Sequence, residues 1–553
     1  MMPLSKLFSH EYFFRVPDYQ RPFQWDEDHF VELIDDLLIA KRSEPYFLGT
    51  LVLHSNSTVG IDDASETFDV VDGQQRITSL CILLACARDI GQEQGDNELA
   101  GEMHQKIIQP AKRLEGIEKR NRLQVKEQSS LNSITGEIGG SKFPIKNSIN
   151  DSPSSQRFEI ARRIFREKME PLSPTELDQF AMFLIQQCNV ITLITDSFEN
   201  AFRLFTIVND RGKQLRRIDV LKAHNLNPEV VPNDEAREKY ANQWDDMEVK
   251  LGEEEFEELF HLLRLIYVKE KPQNDVFTEF QNRIFGKPDR PERGANFIDT
   301  LQSYVNLYDS LFKDKTFLDE GESAHCQFQT LMAAMVRYFG ASEWQACILY
   351  FAHKYGNERA YDFLLRIERT YIDHWVRGVR KDERYRTYTT ILKHIQQTRN
   401  PDELLDKIGQ VETKAIEDAC RSSNLYDSGY AKYLLVRAEI SVTELDKPRD
   451  FEARSIEHVM PQNPKKDSQW LKWFNDEQHE ALVNTAGNLV LLSKSKNSAA
   501  GNKEFDEKKS KYLSPKVSSY PRSMQVLKHD IWTPETVEER TNGFVIQVLD
   551  DLI

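Results

Sequence analysis

The sequence predicts a multidomain α+β protein, with a mixed α/β N-terminal region, a helical middle and a small α+β module near the C-terminus. Three observations lead there. The 553 residues suffice for about three domains of ordinary size. Runs rich in β-branched and aromatic residues, broken by polar turns, fall early in the chain and again near its end. Between them, from about residue 227 to 440, strand signals vanish and Leu, Phe, Tyr, Trp and Ala recur at helical spacing between charged positions. With 40% apolar and 29% charged residues the composition is globular, which excludes wholesale disorder and fibrous classes.

Taken in order, Asp26 and Glu27 open a helix whose stripe is Phe30, Leu33, Ile34, Leu37 and Leu38. YFLGTLVLH (46 to 54) and TFDVV (67 to 71) read as strands separated by a polar loop. DGQQR follows at once, then Ile77, Leu80, Cys81, Leu84 and Ala85 at helical spacing, so this motif sits on a strand-to-helix turn. Residues 92 to 160 change texture, with Gln, Gly, Ser and acidic clusters, and read as a partly helical insertion with mobile loops. Ser173, Pro174 and Glu176 form a helix start with a capping box. CNVITLITD (188 to 196) is a buried strand, and SFENAFRLFTIVNDRG is a helix running into a glycine stop. After DKPRD (446 to 450) the short apolar run GNLVLL marks the last module. The boundaries expected are 1 to 226 with the insertion, 227 to 440, and 441 to 553.

Charge and cysteines narrow the function. Seventy-two Lys and Arg against 89 Asp and Glu give −17, so the surface as a whole does not bind nucleic acid, and any DNA contact needs a local patch. Residues 491 to 529 supply one, with nine basic and three acidic residues. Six cysteines without a C-x-x-C pair argue against zinc knuckles and disulfides. No run approaches the ~18 apolar residues of a membrane span, and the N-terminus lacks the form of a secretory signal. A cytoplasmic protein with no membrane partner is expected.

The C-terminal constellation is the more specific. SIEHVMPQ sets Glu457 beside His458, GNLVLLSKSKN holds Asn488 and Asn497, and GNKEFDEKKSKY follows. Phosphodiester hydrolysis at neutral pH needs a base for water and a cation for the developing charge. A histidine, with its ordinary pKa of ~6.5, can be the base. A carboxylate with an amide oxygen suits a hard divalent metal. Adjacent strand residues point to opposite faces, so Glu457 and His458 share one site only if the backbone bends there, and Pro461 is consistent with the strand ending. Alone, Glu457 and His458 would read as a cap and the asparagines as turn residues. The ordered set is what outweighs that.

EH-x-x-P-Q, GNL-x-LL and N-x(4)-N-x-x-F-x-x-K resemble the HNH-type nuclease family catalogued as domain of unknown function 1524, a ββα-metal fold. The resemblance implies that His458 activates water, Asn488 braces the loop that holds it, and Glu457 and Asn497 bind Mg²⁺ or a similar divalent cation. Asn502 and Lys508 match the tail of the motif. The overlapping basic stretch, with Lys494, Lys496, Lys503 and Lys508, is then expected to contact DNA phosphates.

The N-terminal set is VPDYQRPFQW, FLGTLVL, FDVVDGQQRITSL and FTIVNDRGKQLRRIDVLK. Gly73 permits a tight turn, and the helix after it offers free N–H groups and a positive dipole end to an anion. Gln74, Gln75 and Arg76 add donors, and Asp72 could hold a metal or orient water. D-G turns are common, so an ordinary structural turn explains these residues equally well. No Walker A sequence occurs, which excludes a P-loop. Asp219 and Lys222 read as an i, i+3 surface pair. The set resembles the domain-of-unknown-function family 262, related to the ParB/sulfiredoxin-like fold. That resemblance implies binding and hydrolysis of a nucleoside triphosphate (GTP, ATP and CTP not distinguished) at Asp72, Gly73, Gln74, Gln75 and Arg76, with Tyr19, Gln20, Arg21, Trp25, Asn209, Arg211, Gly212 and Lys222 as secondary lining.

The two modules together resemble GmrSD-type modification-dependent restriction enzymes and the related SspE-type defence nucleases of prokaryotes. The function expected is a nucleotide-regulated, metal-dependent DNA endonuclease that attacks foreign, modified phage DNA. Homo-oligomerisation stays open. Two alternatives keep the same folds: a nucleotide-switched DNA-binding adaptor that does not cut, and an RNA-directed HNH toxin.

Overall fold

The computed structural model describes residues 1–17, 20, 22–55, 66–111, 118–145, 152–196, 216–227, 229–319, 321, 324–409, 411–493 and 502–549. The chain forms two compact units, Met1–Trp244 and Asp245–Ile553. Its fold is mixed α/β. The helix expected over SFENAFRLFTIVNDRG lies outside the described residues.

The first unit is built on a six-stranded sheet in the order β1 (Met2–Pro3), β8 (Cys188–Thr195), β3 (Tyr46–Ser55), β4 (Glu66–Asp72), β2 (Tyr12–Arg15) and β7 (Leu123–Gln124). β5 (Ile108–Gln109) and β6 (Arg120–Asn121) make a separate ribbon. β3 is parallel to β8 and antiparallel to β4, whereas β2 is parallel to both β4 and β7. The two expected strands and the strand from Cys188 are therefore neighbours in one sheet, but that third strand is not the buried one expected, since only Cys188 and Val190 of it are buried.

Helix α1 (Leu4–Leu7) joins β1 to β2, and α2 (Glu27–Ile39) begins at Asp26, whose side chain accepts from the His29 N–H in a capping box. Phe30, Ile34 and Leu37 are the buried stripe of α2. Helix α3 (Gln74–Glu93) is buried almost continuously from Ile77 to Gly91 and is the centre of the core, packed with Phe14, Leu51, Phe68 and Val70 of the sheet.

The insertion is largely helical: α4 (Asn97–Ile107), α5 (Gln128–Thr135) and the start of α6 (Pro153–Met169) fall in it. A buried pair on α3 anchors it. Arg88 clasps Asp89 at 2.6 Å and donates to the carbonyls of Ile134 and Thr135, while Asp89 accepts from the N–H groups of Gly139 and Ser141 at 2.7 Å. Burial would raise the Asp89 carboxyl, but Arg88 and the two N–H groups hold it below its ordinary value. Helix α7 (Pro174–Gln186) starts at the expected capping box of Ser173 and Glu176.

The second unit is helical from Glu253 to Ser441, as the spacing predicts. Two buried ion pairs brace it: Arg264 with Glu279 at 2.8 Å, and Arg437 with Glu368 at 3.0 Å, where Tyr433 also donates its hydroxyl. The last module pairs β9 (Ser455–His458) with β10 (Leu489–Leu492), with short helices and the longer helix Pro534–Leu549 around them. Val490 and Leu492 face a core of Trp470, Phe505, Trp532 and Val537.

Candidate functional site

His458 is the last residue of β9, and the pairing is regular up to it: Val490 opposes Glu457 and Leu489 opposes His458. Opposed residues share a face of an antiparallel pair and successive ones alternate. Glu457 therefore lies on the side of Val490, with the core, and His458 lies on the other. The structure does not bring these two side chains into one site, because the strand does not bend at Glu457.

The chain after His458 is held by Asn488. The Val459 N–H donates to the Asn488 main-chain oxygen at 2.9 Å and the Met460 N–H to its side-chain Oδ1 at 2.7 Å. Asn488 Nδ2 donates in turn to the carbonyls of Met460 and Val483, and Trp532 Nε1 donates to Oδ1 at 3.2 Å. The Ala486–Asn488 turn is itself gripped. Arg522 donates to the carbonyls of Ala486 and Leu489, Arg540 donates to that of Gly487, and Glu439 fixes the Arg522 and Ser523 N–H groups. Burial pushes the Arg522 guanidinium down to about 10, against the pull of Glu439.

The imidazole is oriented by a residue absent from the motif. His458 Nε2 lies 2.8 Å from Asn484 Oδ1, and Asn484 Nδ2 donates to Asn424 Oδ1 at 3.2 Å, which turns the amide oxygen toward the ring. With its proton on Nε2 the ring donates to that oxygen, which leaves the basic lone pair on Nδ1. Tyr426, on the short turn Leu425–Asp427, lies with its ring centroid 4.2 Å from that of His458. Beneath it His458 is 2% exposed.

The remaining predicted residues of this module sort differently. Lys508, expected at DNA, is fully buried: its ammonium stands 2.9 Å from Glu457 Oε1 and donates to the His458 carbonyl. That expectation is corrected, since a cation sealed from solvent meets no phosphate. Arg522 of the basic stretch is likewise internal. Lys503 is partly exposed and pairs with Glu507 at 2.6 Å. Lys494, Lys496 and Asn497 lie outside the described residues. Among the described residues no group of three His, Cys, Asp or Glu side chains is placed to hold a metal ion. Glu457 has Lys508 as its counter-ion, so the described residues alone do not form a cation cradle.

In the first unit, DGQQR sits where β4 hands over to α3. Val52 pairs with Asp72 and Leu53 with Val70, so a bulge precedes the turn and re-aims it. Gly73 has φ +89°, and a Cβ there would stand 2.2 Å from Leu51 Cδ2. Burial raises the Asp72 carboxyl, and the Gly73 N–H and the Arg76 guanidinium only partly offset it. Arg76 donates to the Thr50 carbonyl at 3.1 Å and lies against Gly49, where a Cβ would come within 2.7 Å of its guanidinium carbon.

Gln75 accepts the N–H groups of Gln24 and Trp25 at 2.8 and 3.0 Å, and Gln20 donates to the Val71 carbonyl. These two glutamines clip the 16 to 25 segment to the turn. Gln74 opens α3. Lys222 and Asp219 are buried on the helix Arg217–Asn225, and Asp219 pairs with Arg216 at 3.1 Å. That corrects their reading as a surface pair. Tyr19, Arg21, Asn209, Arg211 and Gly212 lie outside the described residues.

Comparison with known families matches each end of the chain. Residues 4–226 match the N-terminal domain of the GmrSD restriction endonuclease, and residues 410–545 match the C-terminal domain of the GmrSD restriction endonucleases. Comparison with curated proteins gives no match. No helix among the described residues is long and apolar enough to cross a membrane. Both terminal domains of that family are matched in this one chain, which places it with the GmrSD restriction endonucleases.

Proposed function

We propose that this protein is a nucleotide-regulated DNA endonuclease acting on foreign, modified phage DNA, with His458 as its base in an HNH-type site. The observation that carries the reading is the mounting of His458. Asn484 fixes its tautomer, and Asn488 ties down the residues that follow it. In the reaction, the Nδ1 lone pair takes a proton from water as its oxygen bonds to phosphorus. One P–O ester bond breaks, and the leaving oxygen takes a proton from solvent. Because His458 is 2% exposed, the Leu425–Asp427 turn must move before a phosphodiester reaches it. A divalent cation would supply charge neutralisation at phosphate, and the need for one is read directly by EDTA and Mg²⁺ add-back.

For the first unit, the left-handed Gly73 turn and the half-buried start of α3 favour an anion, and the Asp72 and Arg76 pair would act on a bound nucleoside triphosphate. The ParB/sulfiredoxin-like assignment rests on the same motif. The test is cleavage of unmodified plasmid and hypermodified phage DNA, and of RNA, with Mg²⁺ and with or without GTP, ATP or CTP. His458→Ala and Asp72→Ala run alongside. Cutting of DNA that His458→Ala abolishes and that nucleotide changes is the expected result. No cutting under any condition would sink the nuclease reading of His458, and cutting of RNA alone would redirect it.

A further inference from the structure

A cavity of about 490 Å³ opens in the first unit, away from the Gly73 turn; none of Asp72 to Arg76 lines it. It sits on the sheet face opposite the core. Phe14, Phe68 and Val70 point into the core, so the alternate residues Arg15 and Asp69, which oppose each other in β2 and β4, point the other way.

Its walls are of three kinds. Four cations reach it, Arg15, Lys119, Arg120 and Arg237, in a chain whose net charge is −17; among the described residues of the lining Asp69 is the acid, and Asp234 pairs with Arg237. Two guanidinium groups are locked in place. Arg15 is held by both Asp69 oxygens at 2.7 and 3.0 Å, and Arg120 lies 4.0 Å over the Phe13 ring while donating to Thr67 Oγ1. Lys119 pairs with Glu137 at the exposed rim. The second wall carries amides, of which Gln124 is exposed on β7. The third is apolar, with Val125 and Leu226.

Preset planar cations suit phosphate, amides suit the donor and acceptor edge of a base, and an apolar wall suits its face. A lone phosphate would leave most of about 490 Å³ unfilled. We infer that this cavity binds one nucleoside phosphate unit, as a second ligand site of the N-terminal domain. The unit could reach it as a free nucleotide or as a nucleotide turned out of a DNA strand.

The experiment uses the full chain and two probes: radiolabelled GTP or ATP in equilibrium dialysis, and a fluorescein-labelled DNA duplex with one bulged nucleotide in anisotropy. Gln124→Trp fills the cavity from an exposed edge, Lys119→Glu reverses charge at its rim, and Asp72→Asn reports on the Gly73 turn alone. Melting curves check that each variant is folded. The expected result is at least about a tenfold loss of affinity in one arm for both cavity variants, the arm naming the source. Loss in Asp72→Asn with both cavity variants unchanged overturns the cavity site and leaves the nucleotide reading of the Gly73 turn standing. Unchanged binding in all three variants, or no binding of either probe to the wild type, also overturns the cavity site.

Discussion

His458 has its chemistry set by side chains distant in sequence. Replacing it by alanine removes the proposed base and is expected to lower cleavage by roughly 10²- to 10⁴-fold, read in single-turnover assays. Asn484→Ala leaves the ring but frees its tautomer, and a loss on the order of tenfold with an altered pH profile is expected. An unaltered profile would make Asn484 a packing residue only. Lys508→Met strands the Glu457 carboxylate in the interior at a cost of about 3–5 kcal/mol, and Lys508→Met with Glu457→Gln should recover part of it in urea unfolding. Lys269 tests linkage. It is 8% exposed, and burial holds its ammonium down at about 8. Below about 8 the ammonium is charged in both states and its burial cost is fully felt. Between there and the ordinary 10.5 the folded chain loses the proton while the unfolded chain keeps it, so stability rises with pH. Relative to Lys269→Met, the wild type should gain roughly 2–3 kcal/mol across that window.

At the scale of elements, two glycines carry the turns. Gly73 takes a left-handed conformation at φ +89° between β4 and α3, and Leu51 fills the space where a Cβ would go. Gly73→Ala should cost about 1–3 kcal/mol and weaken nucleotide binding, measured by melting with and without GTP. A Cβ at Gly487 would stand 1.9 Å from the Val537 carbonyl oxygen, so no side chain fits between the Ala486–Asn488 turn and the last helix. The sequence marks both turns as D-G and G-N pairs, and helix starts such as Asp26 and Ser173 are equally plain because their caps are local. The bulge at Val52 and the burial of Lys508 are not local. A lysine five residues after Lys503 looks equally solvated until a helix packs it against Glu457.

For the whole molecule, nucleotide bound at the Gly73 turn should stabilise the first unit by about 2.7 kcal/mol at a hundredfold excess over Kd. In hydrogen exchange this appears as protection of the start of α3. If nucleotide regulates cleavage, exchange at Leu425–Asp427 should change as well; protection confined to Met1–Trp244 would mean binding without control of His458. By itself the sequence determined the mixed α/β class, the helical middle, the turn at Gly73 and the membership of both ends, because caps, periodicity and contiguous motifs are written within a few residues of one another. Tertiary structure alone decided that Glu457 and His458 face apart, that Lys508 and Arg522 are internal supports, and that Asn484 and Tyr426 surround the imidazole. Those facts depend on strand register and on segments brought together from distant parts of the chain, and no spacing along it encodes which faces meet.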